Sequence, residues 1–247
     1  MEGVNLMSGH SKWHNIQAKK SKTDAQKAKI FTKMSREIIL AVRDGGPNPD
    51  SNAKLASLIA KAKANNVPND NLKRVIERAS GSADGANYES ITYEGHGPSG
   101  VAVIVEAMTD NRNRTASEVR HAFDKFGGSL GVTGCVSWSF DQKGVLVIER
   151  GDLEEDKVMM DAIESGADEF EATDETFEIT TAPDDFDSVL ASLEKLGYSF
   201  IEAEVEMVPQ TYVTLGEEDK VKMQKMLDLL EDSDDVQEVW HNWDEEE

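Results

Sequence analysis

The chain has 247 residues, with 26 Lys and Arg against 48 Asp and Glu, for a formal net charge of -22. That length accommodates two or three domains with a substantial core, and 38% hydrophobic with 30% charged residues fits a rather polar globular protein. No apolar run approaches the ~18 residues of a membrane helix, residues 1–6 lack the basic start and apolar stretch of a signal peptide, and the single cysteine, Cys135, excludes an intrachain disulfide and a multi-cysteine metal site. No membrane partner and a cytoplasmic location are expected.

The charge is unevenly placed. Residues 1–80 hold 15 Lys and Arg against 7 Asp and Glu, whereas residues 81–247 hold 11 against 41, the composition of a basic arm on an acidic body. The arm runs Gly9-His10-Ser11-Lys12-Trp13-His14, then Lys19, Lys20, Lys22, Lys27, Lys29, Lys33 and Arg36. Such a row of cations neutralises phosphates and releases condensed counterions, and Trp13 offers a ring on which an unpaired base can stack. His10, Lys12, Trp13, Lys19, Lys20, Lys22, Lys27, Lys29, Lys33 and Arg36 are therefore expected to contact nucleic acid. The competing structural account makes the lysines a solvated helix face and Trp13 a core anchor. His10 and His14 have i, i+4 spacing but no third ligand nearby, so phosphate contact suits them better than a metal.

Beyond the arm, Ile30, Phe31, Met34, Ile38, Ala41 and Val42 mark one face of a helix over 24–44, stopped by Gly45-Gly46-Pro47. A second helix fits 51–65 with Leu55, Leu58, Ile59 and Ala62 inward, and a third after Pro68-Asn69-Asp70 carries Leu72, Val75, Ile76 and Ala79. These make a small helical bundle whose polar faces hold Lys61, Lys63, Lys73, Arg74 and Arg78. A glycine-rich polar hinge spans 80–87. The period then changes to two, with strands over 88–94 and 101–108 joined by a turn at Gly95–Gly100, and a helix to about Gly127 whose start is expected at the capping-box pair Thr115 and Glu118. Strands over 136–140, 144–150, 168–181 and 199–207, with helices over 155–165 and 185–196, give an order close to βαββαβ, a ferredoxin-like α+β unit. A strand near Tyr212, a helix over 217–231 and a strand over 236–240 complete the chain.

The fold class is therefore α+β: an N-terminal three-helix domain followed by two α+β domains, at least one ferredoxin-like. The early ββα piece cannot bury its sheet alone, so the boundaries expected are 1–80 for the arm and helical domain, 81–135 with 208–247 for a discontinuous α+β domain, and 136–207 for a unit inserted in it.

Among the remaining motifs, Arg112 and Arg114 between asparagines, followed by Arg120, place forked donors near a helix start, suited to phosphate or carboxylate. The same loop reads equally well as internal, with Asp110 and the asparagines closing it and an arginine bridging acidic regions. Gly95–Gly100 lacks the Lys-Ser/Thr ending of a P-loop. Cys135 reads as a small buried hydrophobe. No carboxylate is paired with a nucleophile or metal cluster at a catalytic spacing, so no enzyme and no cofactor are expected.

The blocks Gly9-His10-Ser11-Lys12-Trp13, Lys27-Ala28-Lys29-Ile30-Phe31-Thr32-Lys33, Thr109-Asp110-Asn111-Arg112-Asn113-Arg114-Thr115 and Phe126-Gly127-Gly128-Ser129-Leu130-Gly131 resemble the YebC/PmpR family from Met7 onward, with residues 1–6 reading as an upstream start or short extension. The resemblance implies a helical domain and two α+β domains without known enzymatic activity. It further implies either a DNA-binding transcriptional regulator or, as in the mitochondrial relative that activates translation of a cytochrome c oxidase subunit, a factor acting in translation. Some bacterial relatives are described as ribosome-associated and as relieving stalling at proline-rich stretches. The residues leave the choice open. No helix-turn-helix, zinc-finger or RNP pattern supplies base-specific reading, while an acidic body is repelled by duplex and suits ribosomal RNA met by the arm and basic ribosomal proteins met by the acidic domains.

Overall fold

The computed structural model describes residues 24–64, 67–81 and 88–245, with backbone alone for 24–28 and 64. These residues form two compact units, one holding the chain through Cys135 together with Glu217–Val239, the other Val136–Gly216 and the stretch from Trp240 on.

In the first unit, helices α1 (Asp24–Gly45), α2 (Ala53–Ala64) and α3 (Asn69–Gly81) pack as a bundle. Met34, Ile38, Ala41 and Val42 recur at three- and four-residue intervals, so they fall on one face of α1. They close on Leu55, Leu58 and Ala62 of α2 and Leu72 of α3. Asn52 locks the α1–α2 corner. Its amide nitrogen donates to the carbonyls of Ala41 and Gly46, both at 2.8 Å, and its oxygen accepts from the Leu55 amide at 3.0 Å, capping α2. Gly46, at φ +83°, takes the left-handed conformation that ends α1.

The chain then forms β1 (Glu89–His96), β2 (Ala102–Thr109), α4 (Arg112–Lys125) and β3 (Ser129–Leu130), and returns much later with α7 (Glu217–Glu231) and β9 (Val236–His241). The sheet order is β3-β1-β2-β9, with β1 antiparallel to β2 and β3. Val119, Ala122 and Phe123 of α4 and Met223, Met226 and Leu230 of α7 are buried.

The second unit runs β4 (Phe140–Glu149), α5 (Glu155–Ser165), β5 (Glu169–Ala172), β6 (Thr176–Thr181), α6 (Phe186–Lys195) and β7 (Phe200–Pro209), with β8 (Val213–Thr214) and β10 (Trp243–Asp244) as a parallel pair. Its sheet order, β5-β6-β4-β7, is antiparallel throughout. This is the ferredoxin-like arrangement, and its main core joins Leu146, Ile148, Phe177 and Ile179 to Val158, Ala162, Val189 and Leu193 of the helices.

Two local expectations change. The helix α4 begins three residues before Thr115, because Asn111 is its N-cap and accepts from the Arg114 amide at 3.1 Å, while the Thr115 hydroxyl goes to Asp235 instead. The strand expected over 136–140 is a 3-10 turn over Ser137–Ser139, after which β4 starts at Phe140.

Candidate nucleic-acid interface

His10, Lys12, Trp13, Lys19, Lys20, Lys22 and the side chain of Lys27 lie outside the described residues. The described cations of α1 have internal partners. Lys29, Lys33 and Arg36 are spaced i, i+4, i+7 and so share a helical face, and that face meets the acidic turn before β9. Lys29 pairs with the Asp232 carboxylate, and its ammonium also donates to the Asp232 carbonyl at 3.2 Å. Lys33 reaches the Gln237 carbonyl at 3.5 Å. Burial lowers its pKa, opposed by the nearby carboxylates Glu238 and Glu231. Arg36 donates to the carbonyls of Met108 at 3.0 Å and Asp234 at 2.6 Å and to the Asp235 carboxylate at 2.7 Å, and its guanidinium lies 5.3 Å from the Tyr88 ring centroid.

The loop arginines divide. Arg114 donates to Asp235 at 2.7 and 3.2 Å and to Asp110 at 3.0 Å, bonds that raise its pKa further above the usual range. Thr109 and Thr115 complete the Asp235 carboxylate at 3.1 and 2.7 Å. Burial pushes the Asp235 carboxyl up, but the bonds from Arg114, Thr115 and Arg36 outweigh it and hold the pKa below the ordinary value. Arg112 pairs with Glu89 at 2.8 Å while its side chain stays 64% exposed, and Arg120 is exposed on α4. The structure therefore brings Arg36 and Arg114 together on one carboxylate and leaves Arg112 and Arg120 outward. Asp235 was not legible as a partner. The only sign of it was an acidic turn, Asp232-Ser233-Asp234-Asp235, in a chain full of acidic turns.

A basic surface remains on α2 and α3. Lys54, Lys61, Lys63, Lys73, Arg74 and Arg78 are all exposed, and the only carboxylates on these two helices are Asp70 and Glu77. Burying Leu55, Leu58, Ala62 and Leu72 inward turns these cations to solvent, a geometry suited to tracking a phosphate backbone.

Comparison with known proteins decides the relationship. Residues 11–82 match the TACO1/YebC protein N-terminal domain, and residues 88–243 match the TACO1/YebC second and third domain. The chain belongs to the TACO1/YebC family. A relative from Acetivibrio thermocellus, named a probable transcriptional regulatory protein, is 62% identical over 239 residues, covering 96% of this chain and 99% of its own length. Another from Caldicellulosiruptor saccharolyticus bears the same name at 59% identity, covering 98% of this chain and all of its own. The fold is similar to the crystal structure of a conserved hypothetical protein from Aquifex aeolicus, with TM-score 0.82 and 44% identity over 91% of this chain and 93% of that one. Among the described residues no helix is long and apolar enough to cross a membrane. Among the described residues, Glu202, Glu204 and Glu206 on β7 bring one carboxylate oxygen each within 4.8 Å of one another.

Proposed function

We propose that this TACO1/YebC chain is a non-enzymatic, cytoplasmic regulator of gene expression that binds nucleic acid through its basic arm and the outward face of α2 and α3, acting as a DNA-binding transcriptional regulator. The names of the relatives support the regulatory role. The observation that carries the binding reading is the exposed set Lys54, Lys63, Lys73 and Arg74 on helices with few carboxylates, continuous in sequence with an arm that has no Asp or Glu from Gly3 through Thr23. Such a surface supplies sequence-independent affinity that weakens steeply with salt.

A second reading, a ribosome-associated translation factor, is favoured by a separate observation. Residues 136–216 hold 4 Lys and Arg against 21 Asp and Glu, a field that repels duplex but complements basic ribosomal proteins. Competition between duplex DNA and ribosomes at several salt concentrations separates the two, with Lys19→Glu/Lys20→Glu as control. Tight, sequence-dependent duplex binding that disappears in that variant without a change in melting temperature supports the first reading. Weak, sequence-blind duplex binding beside salt-tolerant ribosome binding replaces it with the second.

A further inference from the structure

Lys29 and Lys33 stand one helical turn apart on one face of α1, the helix that follows the basic arm in sequence. A pair of lysines so placed suits two phosphates of a nucleic-acid backbone. What the pair meets instead is the segment that joins α7 to β9, where the run Glu231-Asp232-Ser233-Asp234-Asp235 concentrates carboxylates. Lys29 bonds both the carboxylate and the carbonyl oxygen of Asp232, and Lys33 reaches the carbonyl of Gln237 just beyond the run.

The fold gains little from this contact. The Lys29 and Asp232 side chains stay 36% and 74% exposed, and an exposed pair adds little to stability and is screened by salt. Lys33 is held at 3.5 Å, the outer limit of a hydrogen bond, and burial lowers its pKa, so its position disfavours the charged form. The Gln237 side chain is 8% exposed, and both of its polar atoms are buried without a hydrogen-bond partner among the described residues, a state that costs free energy. The bundle core of Met34, Ile38, Leu55, Leu58 and Leu72 takes no residue from the acidic run. Arg36, three positions beyond Lys33, is held far better, by two carbonyls and the Asp235 carboxylate. Arg36 therefore fastens α1, and the main effect of the contacts at Lys29 and Lys33 is to withhold two cations from other anions.

We propose that the acidic run over 231–235 is an autoinhibitory contact, an internal polyanion that occupies Lys29 and Lys33 and keeps them out of the nucleic-acid interface while α1 is docked on it. The proposal rests on the reading that the basic N-terminal region binds nucleic acid, and it adds a regulation of that binding.

Titration of the full chain with duplex DNA at several salt concentrations tests it. In Asp232→Asn/Asp234→Asn the affinity at about 0.1 M salt should rise about fivefold, and the slope of log K against log salt should steepen by about 0.9 for each lysine released. Asp184→Asn/Asp187→Asn removes the same charge from exposed positions of the ferredoxin-like unit and should leave the slope unchanged, which separates released lysines from a general loss of negative charge. Adding Lys29→Gln/Lys33→Gln to the Asp232/Asp234 variant should return the slope to its wild-type value. Those two lysine substitutions alone should leave it unchanged, because the wild type already holds both side chains on the acidic run. A flattened slope in Lys29→Gln/Lys33→Gln alone, or an Asp232/Asp234 variant whose slope steepens no more than that of the Asp184/Asp187 variant, would overturn the autoinhibition and leave the nucleic-acid reading in place. An absence of duplex binding in the wild type and every variant would overturn the DNA reading and the autoinhibition together.

Discussion

The Arg36 guanidinium on α1 and the Asp235 carboxylate before β9 meet at 2.7 Å, with side chains only 13% and 5% exposed. Arg114 reaches the other oxygen of the same carboxylate at 2.7 Å, so one acidic side chain fastens the helical bundle and the start of α4 to the return of the chain. Breaking a buried pair strands a charge. In Asp235→Asn, Arg36 retains two carbonyl acceptors and Arg114 retains Asp110, so the cost should be smaller than for full isolation, about 2 kcal/mol. A lowered urea midpoint at pH 7 is the expected result. An unchanged midpoint would mean that the attraction only balances the desolvation of the three groups.

The same carboxylate sets an acid limit. Its folded pKa is depressed, so it contributes full stability above the unfolded value of about 3.9 and loses that contribution as pH falls through the lower folded value. The difference in unfolding free energy between the wild type and Asp235→Asn should therefore hold steady from neutral pH down to about 5 and shrink below about 4. Urea titrations at several pH values measure it directly. A difference that grows on acidification would contradict the assignment.

The ferredoxin-like unit was legible because its hydrophobic period switches between two and 3.6 at each element, and the core residues Leu146, Ile148, Val158, Ala162, Val189 and Leu193 fall on the faces those periods give. The start of α4 was not, because Asn111 and Thr115 both have cap chemistry and only the tertiary demand of Asp235 for the Thr115 hydroxyl selects between them. The expected nucleic-acid cations divide for the same reason. A run from Lys27 to Arg36 looks alike whether it faces phosphate or a carboxylate far along the chain, and Arg36 is separated from Asp235 by 199 positions. Local pattern carries which residues share a helical face, but not what that face meets.

In the ferredoxin-like unit the Tyr198 hydroxyl donates to the Asp161 carboxylate at 2.5 Å. Burial and that carboxylate push the phenol up to about 12. Folding thus favours the neutral phenol, and the contribution is complete below the unfolded value of about 10 and disappears as pH rises towards 12. Tyr198→Phe should cost about 1 kcal/mol at neutral pH. In the ultraviolet titration of tyrosinate absorbance, the variant should lack the highest of the wild-type steps. If that step persists, it belongs to another tyrosine.

The division between inward and outward cations makes the last prediction a comparison. Lys73 and Arg74 are exposed on α3, so Lys73→Glu/Arg74→Glu should leave the melting temperature nearly unchanged while weakening nucleic-acid binding. Each phosphate that the variant no longer neutralises should flatten the slope of log K against log salt by about 0.9 on duplex DNA. Arg36 has its donors on Asp235, Asp234 and Met108, so Arg36→Gln should do the reverse, lowering the melting temperature and leaving the salt slope intact where the protein is still folded. A flattened slope in Arg36→Gln, with none in the α3 variant, would place the phosphate-binding cation on α1 and make the α2–α3 surface an ordinary solvated face.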